Sequence, residues 1–241
     1  MSLLDVAALD ARYGLLQAVR GVTLALGEGE ILALVGANGA GKTTLLRSIA
    51  GAHRITSGTI AFDGVDVTAM PANRRVAMGI ALVPEGRRLF GGMTVEENLK
   101  VAGRVRRPGR WNVDTVLDAF PVLRDNYKRR SGDLSGGQQQ ATAIGRALMT
   151  NPRVLLLDEV SLGLSPVAVG MVYESLQTVI ASGATIVLVE QDLGRALRIA
   201  THVACMLEGN IVLEGRASEL TREAVTQAYF GLRRADGGRA S

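Results

Sequence analysis

The chain has 241 residues, 47% of them hydrophobic and 4% aromatic, with a formal net charge of +4. That length fits one large domain, or one domain carrying an inserted subdomain. Mean hydropathy is positive, +0.20, yet no apolar run approaches the roughly 18–20 residues of a membrane-crossing helix. Basic clusters at Arg87–Arg88, Arg104–Arg110 and Lys128–Arg130 are not interleaved with aromatic side chains. That argues against a surface on which nucleic-acid bases stack. The single cysteine, Cys205, excludes a disulfide framework and a cysteine zinc site, and reads as a small core residue. The two histidines, His53 and His202, stand too far apart to suggest a metal site. The opening "MSLLDVAALDAR" lacks a basic start, and Asp5 and Asp10 break its apolar stretches, so it does not read as a signal peptide. The chain is expected to work in the cytoplasm.

Short strands are predicted first, "LLDVAALDAR" and "GVTLALGEGE", the second ending in the turn signal "GEGE". "EILALVG" is a buried strand, and "KTTLLRSIAG" a helix closed by Gly51. "GTIAFDG" is a short strand between glycines, and "GIALVPEG" a strand stopped by Pro84. Thr94 and Glu97 fit a capping box that opens a helix at Val95. "WNVDTVLDAFPVLRDNY" has helical spacing with a break at Pro121, and "SGGQQQATAIGRALMTNP" is a helix ended by Asn151–Pro152. "RVLLLDE" is a buried strand, and Ser165–Pro166 opens a helix running to about Ser182. "ATIVLVE" is again a buried strand, followed by the helix "LGRALRIA" with Asp192 as its N-cap. "HVACMLEGNIVLEG" reads as a hairpin turned at Gly209–Asn210, and "ASELTREAVTQAYFG" as a terminal helix.

Strands alternating with helices, and strands that are apolar throughout, indicate an α/β sheet covered on both faces. The expected layout is a single domain over 1–241, with a core at about 1–90 and 151–232. A mostly helical insert occupies about 91–150, and a polar tail at 233–241 is expected to fray.

"GANGAGKTT" carries the first chemistry: Gly36, Ala37, Asn38, Gly39, Ala40, Gly41, Lys42, Thr43 and Thr44. It matches the P-loop pattern G-x-x-x-x-G-K-[ST], with a buried strand before it and a helix after it. The glycines let the backbone fold around phosphate oxygens with its N–H groups pointing inward, and the helix N-terminus adds a favourable dipole. Lys42 reaches the β- and γ-phosphates, and the Thr43 hydroxyl suits Mg²⁺. Downstream, Asp158 ends an apolar strand, where a carboxylate can hold Mg²⁺ through water. Glu159 follows and can polarise an attacking water. "LSGGQ" places Ser135, Gly136, Gly137 and Gln138 at a helix N-terminus, another site suited to anions. Capping by Ser135 and Gln138 explains that helix start, but not the need for two glycines.

A P-loop, then LSGGQ, then an apolar strand ending in Asp-Glu, in this order, resembles the ATP-binding cassette family of transport ATPases across essentially the whole chain. The resemblance implies an α/β P-loop NTPase cassette with an antiparallel β subdomain and a helical insert. It implies ATP and Mg²⁺, and two cassettes packed head to tail. Ser135, Gly136 and Gly137 would then meet the γ-phosphate held by the partner. Tyr13, in "ARYG", matches the aromatic that stacks on adenine.

Two positions depart from the family pattern. Glu85 stands where a glutamine usually touches Mg²⁺ and the attacking water; a carboxylate there can ligate the metal directly but adds charge near Asp158 and Glu159. Gln191 stands where a histidine usually ends the strand "TIVLVEQ". Ser165 replaces a common acid, and Val160 a common proline. With "VPEGRRLFGGMTVEENL", "SLGLSP" and "LVEQD", these changes resemble the shorter ATPase subunit of bacterial branched-chain amino acid importers. Importers of urea, amides or other amino acids are the near alternative. A soluble cassette ATPase acting on ribosomes or DNA is the distant one, since such proteins usually carry two cassettes or a long coiled coil. The resemblance implies catalytic roles for Glu159, Gln191 and Lys42, and metal contacts from Thr43, Glu85 and Asp158. It also implies a second cassette subunit, in a heterodimer with a homodimer left open. Two membrane permeases and, indirectly, a periplasmic binding protein complete the assembly. The chain would then sit at the cytoplasmic face of the inner membrane, with no nucleic-acid partner.

Overall fold

The computed structural model describes residues 2–105 and 107–231, and the tail expected to fray lies outside them. β1 (Ser2–Tyr13) and β2 (Leu16–Gly27) pair antiparallel and run 12 residues each, well beyond the short strands expected. Asp10 and Arg12 do not break β1 because Leu9 and Ala11 keep the buried face continuous, and a polar residue on the outer face is no interruption. The register shifts between Val6 and Leu9, where Ala8 has φ 47°.

β3 (Ile31–Val35) is buried throughout and leads into α1 (Lys42–Ile49). β4 (Ile55–Phe62) and β5 (Val65–Asp66) complete a four-stranded antiparallel sheet in the order β2-β1-β4-β5. α2 (Ala72–Met78) was not expected from the sequence, and the reason is physical. It has no apolar stripe, and its one fully buried residue is Arg75, 2% exposed. The Arg75 guanidinium donates to the carbonyls of Ser48 and Ile49, both at 2.8 Å, and to those of Met70 and Thr68, both at 2.9 Å. A cation thus serves two carbonyls at the end of α1, that of Ser48 also accepting the Gly51 N–H, and pins α2 beside it.

β6 (Ile80–Val83) is followed by α3 (Val95–Ala102), whose expected Thr94–Glu97 capping box is present. α4 (Val113–Ala119) ends before a 3₁₀ turn at Pro121–Leu123, and α5 (Gly136–Leu148) starts at the Ser135 cap. Then come β7 (Val154–Asp158), α6 (Pro166–Ala181), β8 (Thr185–Val189) and α7 (Leu193–Ile199). β9 (His202–Leu207), β10 (Asn210–Arg216) and α8 (Arg222–Tyr229) finish the described chain. The β9–β10 turn is Glu208–Gly209 rather than Gly209–Asn210, because Asn210 already pairs with Leu207. Both turn residues have positive φ, 48° and 87°, as the twist of a two-residue hairpin demands.

The second sheet has the order β10-β9-β3-β8-β7-β6, parallel apart from β10. Its strands face both ways. Leu32, Leu34, Leu156 and Val187 pack towards α1 and the antiparallel sheet, while Leu155, Leu157, Ile186 and Leu188 pack towards α3–α6. Register then decides where the site forms. Leu34 lies opposite Val189, Val189 opposite Asp158, and Val83 opposite Leu157. The carboxyl ends of β3, β8, β7 and β6 therefore leave the sheet at one level, the edge where open α/β sheets bind ligands.

Arg75→Ala strips donors from four carbonyls, two of them in buried hydrogen bonds, and is expected to cost about 3 kcal/mol, against about 1 kcal/mol for loss of the cap in Thr94→Ala. Urea unfolding of both variants measures this, and a loss below about 1 kcal/mol for Arg75→Ala would contradict its pinning role.

Candidate nucleotide site

The loop between β3 and α1 is shaped by contacts that only glycine permits. Gly36 and Gly41 have φ 149° and 101°. A Cβ on Gly36 would lie 2.2 Å from the Met206 carbonyl oxygen, and one on Gly41 2.2 Å from that of Ala18. Carbonyls of β9 and β2 thus press on the loop from behind and leave its N–H groups to the front.

Lys42 is buried, 4% exposed, and donates to the carbonyls of Gly36 at 2.7 Å and Ala37 at 2.9 Å. Its Nζ lies 4.0 Å from Glu159. Burial lowers its pKa, and the Glu159 and Asp158 charges oppose that. Thr43 donates its hydroxyl to Asp158 Oδ1 at 2.9 Å. The other oxygen, Oδ2, is buried with no partner. Burial raises the Asp158 pKa, and the Glu159 and Glu85 charges add to this while the Thr43 hydrogen bond opposes it.

Glu159 has φ 49°, a left-handed conformation uncommon for a residue with a side chain. Its Oε2 accepts from Gln191 Nε2 at 2.9 Å, and the same amide nitrogen donates to Asn38 Oδ1 at 3.1 Å. Val160, next in the chain, is 1% exposed and packs in the apolar layer with Leu157 and Leu188. A side chain is buried there, which accounts for an apolar residue in that place.

A cleft of about 270 Å³ gathers Asn38, Gly39, Gly41, Lys42, Thr43, Thr44, Glu85 and Glu159. Leu162, 48% exposed, also lines it and carried no signal in the sequence beyond its closeness to Glu159. Ala37 contributes its carbonyl to Lys42, and Ala40 is buried against α1. Asp158 and Gln191 do not line the cleft themselves but bond to residues that do, Thr43, Glu159 and Asn38, whereas Tyr13 and the Ser135–Gln138 turn lie outside the lining. Tyr13, 47% exposed at the end of β1, stacks on His53 with ring centres 4.4 Å apart and planes tilted 39°. That contact gives His53 a place the sequence did not suggest.

Ser135, Gly136, Gly137 and Gln138 stand at the start of α5. Ser135 and Gln138 form the reciprocal cap, at 2.9 and 3.4 Å. A Cβ on Gly136 would meet Leu164 at 3.0 Å, and one on Gly137 would meet Ala168 at 3.0 Å. The two glycines therefore also let α5 approach the start of α6, a packing reason that capping alone does not supply.

The residues present fit a magnesium ion. An orphaned carboxylate oxygen on Asp158 sits beside the Thr43 hydroxyl, with Glu85 and Glu159 near enough to disturb its titration. Among the described residues no cluster of three His, Cys, Asp or Glu side chains suited to a metal occurs. Sparse protein donors suit Mg²⁺, which keeps waters and takes substrate phosphates as further ligands. Thr43 and Asp158 would hold it, and it would neutralise phosphate charge there.

A parallel sheet, a phosphate-binding loop and a strand-end Asp-Glu pair at one edge define a P-loop nucleotide hydrolase. The family model described as "ABC transporter" matches residues 19–161. The chain is 42% identical to the high-affinity branched-chain amino acid transport ATP-binding protein BraG of Pseudomonas aeruginosa, over 91% of this chain and 95% of that one. It is 37% identical to the probable branched-chain amino acid transport ATP-binding protein LivF of Archaeoglobus fulgidus, over 90% and 94%. A nucleotide-free ATP-binding cassette from an ABC transporter superposes with a TM-score of 0.80 at 27% identity, covering 95% of each chain. The chain belongs to the ABC transporter family: it is an ATP-binding cassette, an ATPase coupled to transport. Among the described residues no helix is long and apolar enough to cross a membrane.

Asp158→Asn should raise the thermal midpoint of the nucleotide- and metal-free protein at neutral pH. An amide keeps the Thr43 contact without a buried charge beside Glu159 and Glu85. A gain of about 1 kcal/mol would move a chain of this size by roughly 2–4 °C. The sign follows from the raised pKa. The charged form is disfavoured on folding, so the Asn advantage is absent below about pH 4 and grows as pH rises through the folded pKa of Asp158. Thermal scans of both proteins from pH 4 to 8 test this, and a destabilised Asn variant at neutral pH contradicts it.

Proposed function

We propose that the chain is the shorter ATPase subunit of an importer for branched-chain amino acids. The observation that carries this is the match to BraG, which extends across nearly the full length of both chains. LivF adds a second relative of the same transport class. The departures at Glu85 and Gln191 agree with that subfamily and leave the hydrolytic groups in place.

The chemistry then runs as follows. Lys42 leaves its two loop carbonyls for the β- and γ-phosphates, exchanging neutral acceptors for charged ones. Thr43 and Asp158 would hold a magnesium ion, which would neutralise phosphate charge, and Glu85 lines the same cleft. Glu159 orients the attacking water and accepts its proton as the water oxygen bonds to the γ-phosphorus, while the bond from that phosphorus to the β–γ bridging oxygen breaks and ADP leaves with the electron pair. Gln191 holds Glu159 through one hydrogen bond before nucleotide arrives, and then turns that donor to the γ-phosphate. Tyr13 stacks on the adenine. Ser135, Gly136 and Gly137 do not line this chain's own cleft, which supports their acting on nucleotide held by a second cassette. Gln138 holds that helix start open to it through the cap.

ATP joins the two cassettes, and hydrolysis releases them. The permease side is the segment around Glu85–Phe90. Phe90 is 51% exposed and borders a groove with Arg88, Val101, Ala143 and Arg146. Buried Asn98 accepts from the Phe90 N–H and donates to its carbonyl, both at 3.1 Å, so the exposed ring stands on a fixed backbone. A rigid, half-apolar knob suits transmission of cassette motion to a membrane partner.

Glu159→Gln is expected to keep ATP affinity and lose turnover by about 10²-fold or more. Lys42→Ala instead weakens ATP binding itself by about 10-fold or more, as loss of charge-assisted hydrogen bonds requires. Nucleotide titration and phosphate release separate the two, and undiminished turnover in Glu159→Gln would remove its assigned role. Co-purification of the membrane partners, followed by uptake of leucine and of urea, tests the solute; uptake of urea without leucine would overturn the branched-chain reading.

A further inference from the structure

Behind the site, Glu190 ends β8 with 2% of its surface exposed. Its Oε1 accepts from the backbone N–H of Gln191 and of Asp192, both at 3.0 Å, and from Arg195 at 3.2 Å. Its Oε2 accepts from the Ser161 hydroxyl at 3.1 Å and from the Tyr173 hydroxyl. Tyr173 lies on α6, and Arg195 stacks over its ring at 4.9 Å. Burial, with the Glu190 charge behind it, pushes the phenol pKa far above its ordinary value, so Tyr173 remains a donor.

These partners do not belong to one neighbourhood of the chain. Ser161 follows Glu159 by two residues, and Gln191 follows Glu190 by one. Glu190 therefore grips, from the rear, the two backbones whose side chains meet in front through the Gln191–Glu159 hydrogen bond. A buried charge needs a cation and enough donors, and Arg195 and Tyr173 already supply these. The bonds to Ser161 and to the Gln191 N–H add a closed frame: Glu190, Ser161, Glu159, Gln191.

We propose that Glu190 is a positioning residue for hydrolysis, locking the γ-phosphate-sensing Gln191 to the loop that carries Glu159. Through Ser161 and Tyr173 the same carboxylate ties that contact to the loop and helix that follow. The inference rests on the roles given above to Gln191 and Glu159. Glu190 is buried and does not line the cleft; it acts by setting where Gln191 and Glu159 stand.

The test is a double-mutant cycle in the full chain with the subunits that co-purify with it, measuring kcat and KM for ATP together with the thermal midpoint. Ser161 is only half-buried, so Ser161→Ala should fold like the parent. It is expected to lower kcat about 3–10-fold with KM changed less than about twofold, the size of one ordinary hydrogen bond lost. Glu190→Gln should lower kcat by about 10-fold or more, again at nearly constant KM. In a Gln191→Ala background, Ser161→Ala should then change kcat by less than about twofold, because the frame no longer has a side chain to position. A slow Gln191→Ala with the same Ser161→Ala loss in both backgrounds overturns this inference alone. Parental kcat in Gln191→Ala overturns the role of Gln191 and this inference with it. A Ser161→Ala effect confined to KM also overturns it.

Discussion

The nucleotide edge depends on the parallel register of β3, β8 and β7. Leu34, Val189 and Asp158 lie side by side across three strands, so the phosphate loop, Gln191 and the Asp158–Glu159 pair all leave the sheet at one level. A one-residue slip in any pair would turn the alternating apolar faces inside out as well as separating the polar ends. Both faces are buried, by α1 with the antiparallel sheet on one side and by α3–α6, joined at β3 by α7 and α8, on the other. Packing thus fixes the register, and the register fixes the chemistry.

That division explains how poorly the ionic groups of the cleft are satisfied. In the free chain Lys42 is pushed towards its neutral form and Asp158 towards its protonated form. Two oppositely charged groups that stabilised each other fully would shift the other way. Lys42 instead rests on two carbonyls, and one Asp158 oxygen has no partner. The missing counter-charges are those of a ligand that is both polyanionic and metal-bearing. A triphosphate offers acceptors to Lys42, and its Mg²⁺ answers the carboxylates. Binding then relieves burial costs that the fold carries in advance.

Much of this was legible in the sequence because it is local. A phosphate loop between an apolar strand and a helix, acids at the end of "RVLLLDE", and the caps at Thr94, Ser135 and Ser165 each depend on a few consecutive residues. What escaped was carried by single side chains reaching across the chain. α2 hangs on Arg75 rather than on an apolar stripe, so hydrophobic periodicity has nothing to detect. His53 backs Tyr13 from 40 residues away. Gly136 and Gly137 answer to Leu164 and Ala168 on another element as well as to any anion. Glu190 simply ends an apolar strand, and nothing nearby in sequence announces Ser161 or Tyr173.

Gln191 shows why an amide can serve at this edge. Three carboxylates, Glu85, Asp158 and Glu159, already crowd the metal side of the cleft, and Asp158 responds to both of the others. An imidazole here would gain and lose a proton near physiological pH and carry its charge into that cluster. The amide donates to Glu159 and Asn38 at 2.9 and 3.1 Å without a change of charge. Its donor geometry is therefore the same across the pH range in which the chain works. Under the role proposed for Gln191, discrimination comes from competition: the γ-phosphate would have to win the Nε2 donor from Glu159 and Asn38. A ligand with no γ-phosphate would leave Glu159 tethered, and one with it would free the carboxylate to face water. On this account the carboxylate is released only when there is a phosphoryl group to transfer.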